Sequence, residues 1–172
     1  MNNESKELTK LGGKFSFELK REGQIIDAWE NFNLVPTAGL NHFNDTTLGG
    51  GIGISNWYLS LYSNAYTPQA DDLYTHIGTR FTELVAEYDE PVRPTWIKDG
   101  VSSNGLMTNS GNRATFTFNQ PATVSGGMFV SVNTKGDNTS GLLLASSLHA
   151  PARSVVDGDE LLVKYEFQAT SS

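Results

Sequence analysis

The stretch KFSFELKREGQIIDAWENF, residues 14–32, carries the clearest structural pattern in the chain. Phe15, Phe17 and Leu19 alternate with polar residues, which is the two-residue period of a half-buried β-strand. The segment Arg21-Glu22-Gly23 then provides a short loop, with glycine where a positive φ is needed. An extended pattern returns after the glycine. Residues 14–32 therefore predict a β-hairpin.

Further strand patterns follow the hairpin, and turn residues separate them at intervals of about eight to twelve residues. This spacing is typical of a β-sandwich or a β-barrel. The predicted strands lie at residues 57–62, 105–108, 114–118, 122–132, 142–145 and 162–167. Gly126-Gly127 predicts a bulge in one of them. The sequence therefore predicts a mainly β fold, an antiparallel, jelly-roll-like β-sandwich with one or two short helices.

One helix is predicted directly after the hairpin, over residues 38–44. Leu40 and Phe43 lie three residues apart on one helical face, and Thr37 is placed to cap the helix. Gly49-Gly50-Gly51 ends it. A second short helix is predicted within residues 71–84, because its first two residues are aspartates, which suit a first helical turn.

The composition of the 172 residues indicates one domain with an acidic, polar surface. Charged residues make up 18 % of the chain, and the formal net charge is −7. Nucleic-acid-binding proteins carry basic surfaces, so this charge argues against a nucleic-acid partner. The chain has no cysteine, which excludes disulfides, thiolate zinc sites and cysteine nucleophiles. No apolar run reaches the ~18 residues of a membrane span, so no membrane partner is expected.

Residues 1–13 are predicted to form a flexible polar arm ahead of a single domain at residues 14–172. Residues 2–7 are all polar, and Gly12-Gly13 interrupts whatever structure precedes it. The first ten residues also lack the apolar segment of a signal peptide. The arm is either a frayed end or a tether that becomes ordered on a partner.

Side chains that carry catalytic chemistry are few and scattered. The three histidines are His42, His76 and His149. None of them has a second metal ligand at a spacing that metal sites use. Asp89-Glu90 and Asp157-Gly158-Asp159 could supply a glycosidase-like acid and base, and the second segment could bind calcium. A turn is the plainer role for that segment. We therefore expect no enzyme, no cofactor and no metal site.

The tryptophans have two interpretations, as core residues or as a stacking platform for sugars. Trp57 shares a predicted strand face with Leu59 and Leu61 and is expected in the core. Trp29 on the hairpin and Trp96 after two prolines are the better candidates for exposure. Packing remains the commoner role, because tryptophan is highly buried on average.

The order of several motifs resembles a group of small tailed-bacteriophage proteins. Residues 33–43, NLVPTAGLNHF, match a segment that enters a short helix in that group, and residues 57–61, WYLSL, match the strand that follows. The other matching segments lie at residues 66–68, 88–90, 93–96, 114–119, 134–136 and 152–159. The resemblance is collinear over roughly residues 14–169. It implies a virion structural protein that is made in the cytoplasm of a host bacterium.

The first hypothesis is a capsid decoration, or cement, protein that binds the phage major coat protein and stabilises the DNA-filled head. An acidic surface suits assembly beside DNA without binding it. A polar arm could add a strand to the edge of a coat-protein sheet. The residues predicted to contact the coat protein are Leu8, Leu11, Phe15, Phe17 and Trp29. Such decoration proteins commonly form trimers, so a homo-oligomer is expected.

The second hypothesis is a tail or fibre component that binds a host-surface glycan. Its predicted contact residues are Trp96 and Tyr66, among hydroxyl and amide side chains suited to hydrogen bonds with sugars. The third and weakest hypothesis is a polysaccharide-cleaving enzyme. Its candidate catalytic residues are Asp89, Glu90, Asp157 and Asp159.

Overall fold

The structure, a computed structural model, describes residues 9–171, which contain eight β-strands, one α-helix and one turn of 3₁₀ helix. The strands are β1 (Thr9–Arg21), β2 (Gln24–Phe32), β3 (Tyr58–Tyr62), β4 (Leu106–Thr108), β5 (Ala114–Thr117), β6 (Ala122–Val130), β7 (Leu143–Val155) and β8 (Glu160–Ser171). The α-helix is α1 (Thr37–Thr47), and the 3₁₀ helix spans Tyr74–His76. The fold is mainly β and sandwich-like, with two antiparallel sheets, which confirms the predicted fold class.

The first sheet, sheet A, is built on the predicted hairpin of β1 and β2. Its strand order is β2-β1-β8-β4, and β5 also pairs with β8. β1 lies beside β8 along nearly its whole length, from Thr9 opposite Ser171 to Lys20 opposite Glu160. The first and last described strands therefore pair with each other inside one sheet.

The second sheet, sheet B, has the order β3-β6-β7 and is buried on both faces except at the start of β6 and in the second half of β7. Leu59 and Leu61 of β3 join the main core between the two sheets. Tyr62 points to the opposite face, where it packs in a second cluster with Tyr74 and Phe81. The segment between β3 and β4 therefore covers the outer face of sheet B.

The main core is rich in aromatic side chains. Its fully buried rings belong to Phe15, Phe17, Phe116, Phe118, Tyr88 and Tyr165. The ring centroids of Phe129 and Tyr165 lie 4.4 Å apart, which joins sheet B to sheet A through direct ring contact. Burying each large apolar side chain stabilises the fold by roughly 1.5–3 kcal/mol, so this core provides much of the stability.

A buried ion pair holds the segment that covers sheet B. Nε and Nη2 of Arg93 donate to the two carboxylate oxygens of Glu83, at 2.6 and 2.7 Å. Nη1 donates to the hydroxyl of Tyr74 and to the carbonyl oxygen of Val132. The Arg93 side chain is fully buried. Removing either partner would leave an uncompensated buried charge, so the pair fixes how this segment lies on the sheet.

The predicted helix is present, but its start differs from the prediction. Thr37 is the first helical residue, and the residue at the N-cap is Pro36, which has no side-chain oxygen to offer. The predicted threonine cap is therefore wrong: the Thr37 N–H donates instead to the carbonyl oxygen of Ala70. The prediction that the glycines end the helix is confirmed. Just after the last helical residue, the N–H groups of Gly49 and Gly51 donate to the carbonyl oxygen of Asp45. The second predicted helix is only the 3₁₀ turn.

Residues 9–13, predicted as the end of the flexible arm, form the first part of β1 and pair with β8. This corrects the predicted boundary of the arm. Gly13 allows the two strands to approach, because a Cβ atom there would overlap the backbone of Glu166 and lie 2.9 Å from the Tyr165 hydroxyl oxygen. Residues 1–8 of the predicted arm, Leu8 included, lie outside the described residues.

Candidate functional site

The N-terminal part of β1 has a neighbouring strand on only one side. β2 ends at Phe32, opposite Lys14. The Asn33 N–H still donates to the Gly13 carbonyl oxygen, and the next N–H, of Leu34, donates to Ser146 in β7. The chain thus leaves sheet A at residue 33 and crosses to sheet B. Within residues 9–171, β1 ahead of Gly13 has β8 on one side and no strand on the other.

The main-chain groups of Leu11 point to the side that β2 has left. Leu11 lies opposite Ala169 in β8, and the Ala169 N–H donates in the other direction, to the Gly105 carbonyl oxygen. Leu11 and Ala169 therefore form a non-hydrogen-bonded pair of the antiparallel ladder. Gly13, two residues along the strand, offers its carbonyl oxygen to Asn33 on the same side. The N–H and C=O of Leu11 consequently face the open edge.

Exposed apolar side chains surround this edge. Phe32 is 85 % exposed and Leu40 of α1 is 37 % exposed. Two clefts meet at Lys10 and Leu11. One, of about 300 Å³, extends to Phe32, and the other, of about 470 Å³, extends to Leu40 and Asn44. We call these five residues, Lys10, Leu11, Phe32, Leu40 and Asn44, the β1-edge patch.

The residues predicted to contact the coat protein separate into three groups. Leu11 lies in the β1-edge patch. Phe15 and Phe17 are 0 % and 1 % exposed and pack in the core, so neither can belong to an attachment surface. This corrects their prediction: the apolar face of the strand faces sheet B. Trp29 is half-buried, stacked on Phe17 with the guanidinium of Arg153 over its ring.

A second candidate region is a pair of aromatic clefts at one end of the sandwich. The clefts, of about 230 and 410 Å³, share four lining residues, Ile54, Trp57, Trp96 and Met107. Trp57 is half-buried and stacks on Phe129, with ring centroids 5.1 Å apart. The larger cleft also carries the polar side chains of Ser55, Asn56, Thr95 and Lys98.

The two predicted glycan contacts do not form one site. Trp96 is only 8 % exposed, and its indole N–H donates to the Tyr165 carbonyl oxygen at 3.1 Å. Its predicted exposure is therefore wrong, although its ring lines the aromatic clefts. Tyr66 packs in the cluster on the other face of sheet B, where its hydroxyl donates to Asp72.

Three of the four candidate catalytic carboxylates bind groups of the protein itself, and the fourth, Asp157, is exposed. Both oxygens of Asp159 accept hydrogen bonds from Arg21, and this contact lowers the pKa of the buried Asp159 carboxyl. Glu90 accepts from the backbone N–H and hydroxyl of Thr117. Asp89 accepts from the side-chain amide of Asn119. Across residues 9–171 no group of three or more histidine, aspartate or glutamate side chains is placed to hold a metal ion.

Phe32 and Leu40 were not identified by sequence reasoning, although Phe32 leaves a signal in the sequence. The inward-facing positions of β2 include Trp29 and Asn31, so Phe32 falls on the polar side with Ala28 and Glu30. A single exposed aromatic residue is common on protein surfaces, and it marks a contact surface only where other exposed apolar residues lie beside it, as Leu11 does here. Leu40 leaves no such signal, because its exposure depends on how α1 docks.

Neither a scan against protein-family profiles nor a search of curated proteins finds a match to this chain. None of the helices in the described part of the chain is long and apolar enough to cross a membrane.

Proposed function

We propose that the chain is a bacteriophage capsid decoration protein, which binds the coat-protein lattice on the outside of the head and stabilises the DNA-filled particle. The observation that carries this proposal is the β1-edge patch, with Phe32 85 % exposed beside Leu11. An exposed apolar patch with a polar rim is typical of a protein interaction surface.

The rest of the molecule suits a static binding role. Its aromatic core and the buried pair of Arg93 and Glu83 hold one conformation. The net charge of −7 disfavours binding to the packaged DNA. Self-association, for example into a trimer, would let several copies of one weak contact engage the symmetric shell together and so bind strongly through multivalency. The motif resemblance to tailed-phage proteins supports the virion setting.

The proposal is tested with coat-protein shells from a phage mutant that lacks this chain. Labelled protein is added to the shells, and the bound fraction is measured by co-sedimentation. We expect Phe32→Ser to weaken binding about tenfold or more, because it removes an exposed apolar contact of the patch. Val101→Ser is the matched control, since Val101 is 88 % exposed and lines neither cleft of the patch.

Two results would contradict the proposal. One is wild-type protein that does not sediment with the shells. The other is a copy number far below that of the coat protein in gradient-purified virions, measured by quantitative mass spectrometry, because a decoration protein covers the lattice.

A second candidate function is glycan binding by a tail or fibre protein. The observation that favours it is Trp57, half-buried at the junction of two clefts with Asn56 and Thr95 nearby. On a glycan array we expect Trp57→Ala to lose the binding that the wild type shows. Tyr66→Phe should retain it, because Tyr66 lies on the other side of sheet B. Absence of any wild-type binding to the array would remove this candidate.

A further inference from the structure

We infer that the β1-edge patch binds an extended segment of the coat protein, which adds to sheet A as a new strand beside residues 9–13. The inference rests on the proposed function and names the element of the partner that the patch recognises. Three features of the patch carry it: its main-chain groups, its walls and its difference from the edges of β2 and of sheet B.

The main-chain groups identify the kind of occupant. The N–H and C=O of Leu11 both face the open edge, side by side, as a donor and an acceptor. A partner that approached with a flat surface of side chains would cover these groups without pairing them, and burying unpaired main-chain groups is unfavourable. An extended backbone offers a C=O and an N–H at the matching spacing. Strand addition is therefore the form of contact that satisfies this edge.

The residues on either side of the open edge indicate which types of side chain the added segment would carry. Phe32 stands at the end where β2 stops, and Leu40 of α1 stands on the other side of Leu11. An added strand would lie about 4.8 Å from β1 and place alternate side chains toward these walls. Apolar residues suit contacts with Phe32 and Leu40. Lys10 lines both clefts, so a carboxylate on the segment would meet a positive charge.

The free edge of β2 is covered at Ala28 in a way that the β1 edge is not. The Ala28 N–H donates to the carboxylate of its own neighbour, Asp27, at 2.8 Å. The other oxygen of that carboxylate is bound by Nε of Arg153 at 2.7 Å. Charged side chains that cover edge groups are a common means of preventing strand pairing. At this position the edge of β2 is therefore less open to strand addition than residues 9–13.

The edge strands of sheet B pair at several positions with other segments of the same chain. Tyr58 and Tyr62 of β3 pair with Thr95 and Glu83 of the covering segment. On β7, Ser146 pairs with Leu34. These bridges occupy edge groups that would otherwise be free to bind a strand.

Leu11→Pro is the variant that tests the inference. Proline removes the N–H that the added strand would use, while the hydrogen bonds between β1 and β8 are made at the neighbouring residues and remain. Leu11→Ala is the matched control, because it loses the leucine side chain and keeps the N–H. The two variants and the wild type are titrated onto the decoration-free shells. Equal melting temperatures, within about 2 °C, show that each variant is folded.

We expect Leu11→Pro to bind the shells at least about tenfold more weakly than Leu11→Ala. In hydrogen-exchange mass spectrometry, shell binding should also slow exchange of a peptide that contains Leu11. Equal affinities of the two variants would overturn strand addition and leave the decoration function standing. Wild-type protein that does not bind the shells would overturn both. A third outcome concerns protein without shells. If protection of the Leu11 peptide from exchange then increased with protein concentration, a second copy of the chain would be the occupant of the edge, and the coat-protein segment would be overturned.

Discussion

His149 lies buried between the rings of Phe17 and Trp29, an environment that favours the neutral imidazole. Burial lowers the pKa of His149 to about 4, and the nearby positive charge of Arg153 acts in the same direction. Nε2 lies 3.2 Å from the Val124 carbonyl oxygen, so this nitrogen carries the proton of the neutral ring. The side chain is thus a packed core residue with one hydrogen bond.

His149 makes the stability of the fold depend on pH. In the unfolded chain histidine has a pKa of about 6.5, so between this value and about 4 the unfolded state binds the proton and the folded state does not. We expect the free energy of unfolding to fall as the pH is lowered through this window, by roughly 3 kcal/mol in total. Urea denaturation at a series of pH values measures the effect.

The contribution of His149 is isolated with His149→Gln, whose amide can still donate to Val124. Its unfolding free energy should fall less between pH 6.5 and pH 4 than that of the wild type. His42→Gln, an exchange on α1 outside the core, controls for the loss of a histidine. A slope in His149→Gln identical to that of the wild type would show that this side chain does not carry the effect.

At the residue scale, the sequence shows which face of a strand is apolar better than it shows what that face packs against. The alternation of Phe15, Phe17 and Leu19 correctly predicts one buried strand face. Assigning Phe15 and Phe17 to an attachment surface fails because that face packs against the chain's own second sheet. The predicted exposure of Trp96 is wrong for a related reason. Trp96 follows two prolines in an irregular segment, and only the folded chain brings its indole to Tyr165.

The β1 strand depends on close packing at one of its two glycines. A Cβ atom at Gly13 would overlap the Glu166 backbone and crowd the Tyr165 hydroxyl, whereas nothing lies within 4 Å of a Cβ atom at Gly12. We expect Gly13→Ala to lower the unfolding free energy by about 2 kcal/mol or more. Gly12→Ala should be neutral or slightly stabilising, because alanine restricts the unfolded chain. Equal melting temperatures for the two variants would refute this distinction.

At the element scale, most strands are predictable because their local patterns agree with the fold. The hairpin, β3, β5 and the register shift at Gly126 follow from alternation and from glycine. Residues 9–13 do not, because a glycine pair is typical of a break and only β8 makes it a strand. The β1-edge patch depends on where β2 stops and where α1 docks, and neither is encoded in a local motif.

Trp96 links the two sheets directly. Trp96 donates its backbone N–H to Trp57, beside sheet B, and its indole N–H to Tyr165 in sheet A. We therefore expect a single cooperative unfolding transition. Tryptophan fluorescence, which reports the packing between sheets, and far-ultraviolet circular dichroism, which reports the strands, should give the same urea midpoint. Separate midpoints would show that one sheet persists without the other.

The pairing of β1 with β8 also determines how the molecule responds to force. Thr9 and Ser171 sit opposite each other at the same end of an antiparallel ladder. Tension applied between these two residues breaks the hydrogen bonds of that ladder one pair at a time, starting from this end. A strand laid beside residues 9–13 and pulled along its own axis would instead have to break all its hydrogen bonds together. The same sheet is therefore mechanically weak when β1 and β8 are peeled apart from this end and strong when a bound strand is sheared along it.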